Sequence, residues 1–443
     1  MNQAEIFIEK KTIRKVTWRI IPFVFICYII SYIDRANLGY AALEMNADLA
    51  LSSKVFGFAS GIFFIGYFLF EVPSNVMMQR FGARVWIARI LITWGILAVA
   101  TGFVQNAMHL YILRFLLGVA EAGFFPGIIL YFTYWFRSKE QATTIGLFTA
   151  AIPVSYIIGA PLSTWIMDYI HWMDFAGWRW MFILEGLPAV VLGIITLFYL
   201  TERPENAKWL NTKEKEWLVG ELKKERESRK NVKQLGILKA ITNPKVLFLS
   251  FIYFVYQTGS LGVGYWMPQI IKGFSGVTTN MQIGLIAMIP YIGATIGMLY
   301  WSRRSDSKGE RRLHSAIPLF IAAIGLVGAG LTSNPYMAIA LITVSLTGMY
   351  SFKAPFWALP SLFLTQSTAA IAIASINSIG NLGGFVGPYT IGLIKDGTGD
   401  AKIGLFFLSA LLLISFLMVF FMKTNEIKVE KKAQVHAAAE KQV

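Results

Sequence analysis

A chain of 443 residues that is 56% hydrophobic and only 15% charged, with a mean hydropathy of +0.56, falls outside the range of water-soluble domains. Its net charge of +15 would suit a nucleic-acid binder in a soluble protein, but the basic residues are confined to particular loops, so no nucleic-acid partner is expected. What remains is an all-α polytopic membrane protein, because lipid cannot satisfy backbone polar groups and a crossing helix of about 20 residues satisfies its own.

Twelve membrane spans are predicted, at about 19–43, 55–77, 84–104, 108–132, 142–167, 180–201, 245–271, 281–301, 314–332, 336–365, 369–394 and 402–423. Span 1 is longer than a signal h-region and has no small-residue cleavage site after it, so it is read as retained. Before it stand Lys10, Lys11, Arg14, Lys15 and Arg19; further basic clusters follow spans 2, 4, 6, 8 and 12, while the intervening loops hold few. That alternation places both termini in the cytoplasm and the protein in the cell's inner membrane. The segments 1–12 and beyond 423 read as solvated ends. Residues 211–230 read as a short amphipathic helix on the inner membrane surface or as a plain solvated linker. The organisation is thus a six-helix half (1–201), a linker (202–244), a second six-helix half (245–424) and a tail (425–443).

Span 1 carries the sequence SYIDRAN at 31–37, with Asp34 and Arg35 side by side in an apolar helix. Ionised side chains in a bilayer are costly and mark functional sites. At 1.5 Å per residue they lie about 22 to 24 Å from the inner end. Arg114 in span 4 lies about 9 Å from the outer end, at a similar depth, with Glu121 about 10 Å deeper on the same face. An anion that takes an arginine from a carboxylate would leave that carboxylate to accept a proton. The alternative is a set of buried ion pairs that only joins helices 1 and 4, although such pairs are a poor source of stability.

Glu71, beside Pro73, reads as an anchor of helix-end geometry. In span 10, Lys353 lies about 25 Å down, just before Pro355. It is either a second anion contact facing Arg35 or a side chain snorkelling to the headgroups. Trp357 follows one turn later, as a pocket wall or as packing. Asn377 and Asn381 form an i, i+4 pair among glycines in span 11, open to substrate contact or to interhelical hydrogen bonds. Tyr32, Tyr67 and Tyr156 are further pocket candidates. Cys27 is the single cysteine and the four histidines are scattered, so neither metal, cofactor nor membrane-embedded catalysis is expected.

Six spans, a linker and six more, with basic loops at 75–84 and 302–312 in matching places, resemble the major facilitator superfamily. The second loop keeps Gly297, Asp306, Arg311 and Arg312 of the superfamily's pattern; the first has Asn75 and Gln79 where that pattern has Gly and Asp. YIDRAN, GYFLFEVPSN (66–75), RFLLGVAEAGFFPG (114–127), WRWMFILEGLPA (178–189), FWALPSLFL (356–364) and INSIGNLGGFVGP (376–388) together resemble its anion:cation symporter branch, whose bacterial members carry tartrate, phthalate, hydroxyphenylacetate and sugar acids. The resemblance implies a proton-coupled importer of a small organic anion, acting as a monomer, with H+ as coupling ion. Facilitation, antiport and export on the same fold remain alternatives. It further implies that Arg35 binds the substrate carboxylate, that Asp34 and Glu121 carry protons with Arg114 tuning them, that Trp357, Asn377 and Asn381 are candidates for the pocket, and that Arg80, Arg84, Asp306, Arg311 and Arg312 serve gating loops.

Overall fold

The computed structural model describes residues 3–230, 242–275, 279–360 and 366–422. The predicted tail at 425–443 and linker residues 231–241 lie outside these. Eleven helices among the described residues are long and apolar enough to cross a membrane. Span 1 is Gln3–Ala41, span 2 Ser53–Phe81, span 3 Ala83–Thr101 and span 6 Gly177–Tyr199. Span 4 is broken into Ala107–Glu121 and Phe124–Phe132, and span 5 into Ser138–Thr149 and Ala151–Tyr169. Spans 7 to 10 are Pro244–Ser275, Asn280–Lys308, Arg312–Leu331 and Pro335–Ala358. Span 11 completes the twelve in two pieces, Gln366–Asn381 and Gly383–Thr398, and span 12 is Lys402–Phe420. Polar caps start several of them: Ser52 Oγ accepts from the amide of Val55, Asn106 from His109, Thr279 from Gln282 and Asn334 from Met337.

The halves repeat the same packing. Span 3 lies on span 6 as span 9 lies on span 12; span 2 on span 4 as span 8 on span 10; span 1 on span 5 as span 7 on span 11. Between halves, span 2 meets span 11 and span 5 meets span 8, again a matched pair. Lipid gives no hydrophobic reason for helices to associate, so small residues that permit close approach decide these contacts. A Cβ on Gly61 would lie 2.8 Å from the Phe385 ring, and one on Gly57 2.6 Å from the carbonyl oxygen of Pro388, so only glycine lets span 2 reach span 11.

Two segments differ from the sequence expectation. Residues from Gln3 onward are helical, not a loose end, because Glu9 is held by Arg137 at 2.8 Å and Lys139 at 2.5 Å. The amphipathic helix is Thr212–Lys230, but its apolar side is spent on protein rather than lipid: Leu218 and Leu222 are buried, Glu214 pairs with Lys15 at 3.0 Å, and Glu221 pairs with Arg137, which stacks over Trp217.

On the face opposite the one where span 1 begins, three carboxylates join the halves: Glu44 accepts from the Asn280 side chain at 2.5 Å, and two others are set on helix starts. Asp168, ending span 5, accepts from the amides of Asn280 (3.3 Å) and Met281 (2.7 Å) at the start of span 8. Asp396, ending span 11, accepts from Ser53 and Lys54 at 2.9 Å each, at the start of span 2. These positions are equivalent in the two halves. Each places an anion on the free amides and positive dipole end of a helix in the other half. In a Cys27→Ser background with Tyr389→Cys as reporter between the halves, Asp396→Asn is expected to raise the maleimide labelling rate severalfold near neutral pH. An unchanged rate in both the Asp396→Asn and Asp168→Asn proteins would show that these contacts do not hold the face closed.

Candidate functional site

Consecutive residues on a helix point about 100° apart, so Asp34 and Arg35 leave span 1 in different directions. Arg35 turns to the centre of the molecule. Its Nε and one terminal nitrogen both donate to Glu121 Oε1, at 2.9 and 2.7 Å, and Ser31 Oγ donates to the same oxygen at 2.6 Å. The guanidinium packs over Tyr32, Phe63 and Tyr67 at 5.1 to 5.4 Å from their centroids. Glu121 ends the first segment of span 4, where Gly123 takes a left-handed φ of 88° against Ser74. A carboxylate at a helix C-terminus faces exposed carbonyls, an unfavourable field that the arginine offsets.

Asp34 turns to the interior of the first half. It accepts hydrogen bonds from the Trp94 indole and from Asn37 Nδ2 (3.2 Å); Asn37 Nδ2 also donates to Glu185 Oε2 at 3.0 Å, and Ser163 donates to Glu185 Oε1 at 2.6 Å. Arg114 is 1% exposed and donates to the Tyr265 hydroxyl at 3.4 Å while lying over Phe63. No carboxylate among the described residues lies within ion-pair distance of it. The predicted four-charge cluster is therefore divided: Arg35 and Glu121 form the ion pair, and Asp34 and Arg114 stand apart. Glu185 and Asn37 escaped sequence reading, although an acid in the ILEGLP run of span 6 was the available signal.

The second half completes an aromatic arc. Tyr32 meets Tyr156 edge-on, Tyr156 stacks on Tyr291 at 4.3 Å, Tyr291 meets Tyr350, and Lys353 Nζ sits 4.5 Å over the Tyr350 ring. Lys353 thus faces the interior rather than the headgroups, on a path of rings leading back to Arg35. Trp357 packs edge-on against Tyr253 at 4.8 Å. Asn381 Oδ1 accepts from Gln257 at 3.5 Å. Asn377 is drawn to Glu71: its amide (3.4 Å) and the Ser378 hydroxyl (2.5 Å) both donate to that carboxylate. Glu71 is therefore a contact between spans 2 and 11. Tyr291, Tyr350, Tyr253 and Gln257 were not singled out by sequence, since tyrosines are scattered through the spans and only the packing of spans 7, 8 and 10 brings these together.

The loop residues sit at the face where span 1 begins. Asp306 pairs with Arg311 at 2.6 Å, and Arg312 donates to the Met422 carbonyl. In the first half Arg80 lies over Phe81, while the amides of Ala83 and Arg84 are capped by Glu202 at 2.7 and 2.8 Å. No cluster of three or more potential metal ligands occurs among the described residues.

Breaking one side of a buried ion pair typically costs about 3 to 5 kcal/mol, because the partner is left charged and unpaired. Glu121→Gln is therefore expected to lower the melting temperature in detergent by several degrees, and Arg35→Met combined with Glu121→Leu to restore most of the loss. A double variant no more stable than Glu121→Gln would show that the pair is not the source of the cost.

Comparison with known proteins places this geometry in context. The family model described as Major Facilitator Superfamily matches residues 24–388. A protein of Agrobacterium vitis named "Putative tartrate transporter" is 48% identical over 409 residues, 92% of this chain and 94% of that one. A quinolone resistance transporter of Acinetobacter baumannii is 39% identical over 430 residues, 96% of this chain and 99% of its own. Among solved structures, the inward-open xylose transporter XylE from E. coli superposes with a TM-score of 0.72 at 16% identity, covering 91% of this chain and 96% of that one.

Proposed function

Because the chain belongs to the Major Facilitator Superfamily, a family of multi-pass membrane transporters, we propose that it imports a small organic anion together with protons by rocking its two halves about Arg35. The observation that carries this reading is the Arg35–Glu121 pair: a cation able to take a carboxylate, already joined to the acid that would be released. A substrate carboxylate that displaces Glu121 from Arg35 leaves an uncompensated anion away from water, and protonation relieves it. Substrate and proton then cross together. Lys353, at the far end of the aromatic arc, would take a second polar end, which favours dicarboxylates and hydroxy acids over simple monoanions. The name of the A. vitis relative is in keeping with this substrate class. The positive-inside pattern supports termini in the cytoplasm.

The name of the A. baumannii relative motivates a second reading, export or antiport on the same fold. Span 5 has GAPL at 159–162, a partial match to the glycine- and proline-rich run of antiporters.

In proteoliposomes, uptake of tartrate and related carboxylates is expected to rise when the outside is acidified. Glu121→Gln should abolish that dependence, and Arg35→Ala should weaken substrate binding roughly 10- to 100-fold, the loss of a charge-assisted hydrogen bond of about 1.5 to 3 kcal/mol. Uptake indifferent to the pH gradient, with Glu121→Gln transporting normally, would sink the proton-coupled reading. Counterflow without a gradient then separates exchange from symport.

A further inference from the structure

Between spans 1, 3, 4, 5 and 6 lies a layer of five ionisable groups: Arg35, Arg114, Asp34, Glu121 and Glu185. Asp34, Glu121, Glu185 and Arg114 are 4% exposed or less, and the side chain of Arg35 is 15% exposed. Two arginines face three carboxylates; of the nearest other charges, Arg89 of span 3 is taken up by the Ala120 carbonyl and the Trp86 ring and Glu71 of span 2 by Asn377 and Ser378, and counting both still leaves one negative charge too many for a site away from water. One proton makes the layer neutral, and the geometry says where it belongs.

Glu121 already has Arg35 and Ser31. Asp34 and Glu185 have only neutral donors: Trp94 and Asn37 for the first, Asn37 and Ser163 for the second. Among the described residues no cation lies within ion-pair distance of either acid. Arg114 and Glu121 of span 4 act on Asp34 only through space. Tyr40 of span 1 is the other titratable group near Glu185, and it in turn is near Tyr156 of span 5. Asn37 Nδ2 reaches both acids, while its buried Oδ1 has no hydrogen-bond partner in the structure. Turned over, the Asn37 amide would present this oxygen to both acids, where only a carboxyl O–H can donate to it, and a buried amide acceptor left without a donor is costly.

We infer that Asp34 and Glu185, bridged by Asn37, form a second proton site: a carboxylic acid and carboxylate that share one exchangeable proton, separate from the Arg35–Glu121 pair. Loading forms one carboxyl O–H as an O–H of hydronium breaks, and release reverses the step with no other bond changed. The role of this site in transport rests on the proton-coupled reading above. The site itself can be read without substrate.

Infrared difference spectra of the full-length protein in lipid at neutral pH, without substrate, test it. Asp34→Asn and Glu185→Gln are each expected to remove the same protonated-carboxyl C=O band, one that shifts in deuterium oxide, because losing either acid leaves the layer neutral without the proton. The double variant should remove no more than either single one. Ser163→Ala, a milder change that deletes a donor to Glu185, should displace or remove the band even if Glu185→Gln fails to fold. Bands that add in the double variant, or no band lost in either single variant, overturn the shared site. Since no transport is measured, that outcome is distinct from a failure of Glu121 to couple uptake to protons.

Discussion

Everything about this protein's interior depends on one constraint: an ion held away from water must be compensated where it stands, because the cost of leaving it alone exceeds what a few packing contacts return. Arg35 and Glu121 meet that constraint directly, with three donors converging on one carboxylate oxygen. Compensation of this kind is stable and also exchangeable. In the cycle proposed above, a substrate anion replaces the first anion on the same guanidinium and a proton replaces the guanidinium on the same carboxylate.

The repeated architecture gives that exchange a mechanical setting. Spans 2 and 11 on one side and 5 and 8 on the other form the contacts between halves, and each includes a carboxylate set on a helix start in the opposite half. Nearer the other face, Glu71 joins span 2 to Asn377 and Ser378 of span 11. The helices around them approach closely at glycines and aromatic rings, as where Gly57 and Gly61 of span 2 face Pro388 and Phe385 of span 11.

Much of this was legible in the chain itself. Hydropathy gave the spans, and the intramembrane Asp34, Arg35, Arg114 and Glu121 stood out because charge in an apolar run is costly. Pairing was not legible. Depth along a helix can be counted from sequence, but rotation about the helix axis relative to its neighbours cannot; the count set Glu121 about 10 Å below the level of Arg35 and Arg114, whereas the structure pairs Arg35 with Glu121 at 2.7 Å. Asp34 and Arg35 are adjacent in sequence and serve different networks. Asn377 was readable as a polar residue needing a partner, but not as one bound to Glu71.

The sequence by itself determined a polytopic all-α membrane protein and marked Asp34, Arg35, Arg114 and Glu121 as charges in apolar helices, because both follow from the energetics of placing each residue in lipid; transport was implied by the resemblance of its motifs, and Glu185 went unmarked. Only the tertiary structure decided which acid answers which base. It put Glu185 and Asn37 beside Asp34, set Arg114 apart from any carboxylate among the described residues, and ran a path of tyrosines from Arg35 to Lys353. The reason is physical: ion pairing depends on distances of a few ångströms between different helices, and those are fixed by how glycines and aromatic rings let the helices approach, not by any spacing along the chain.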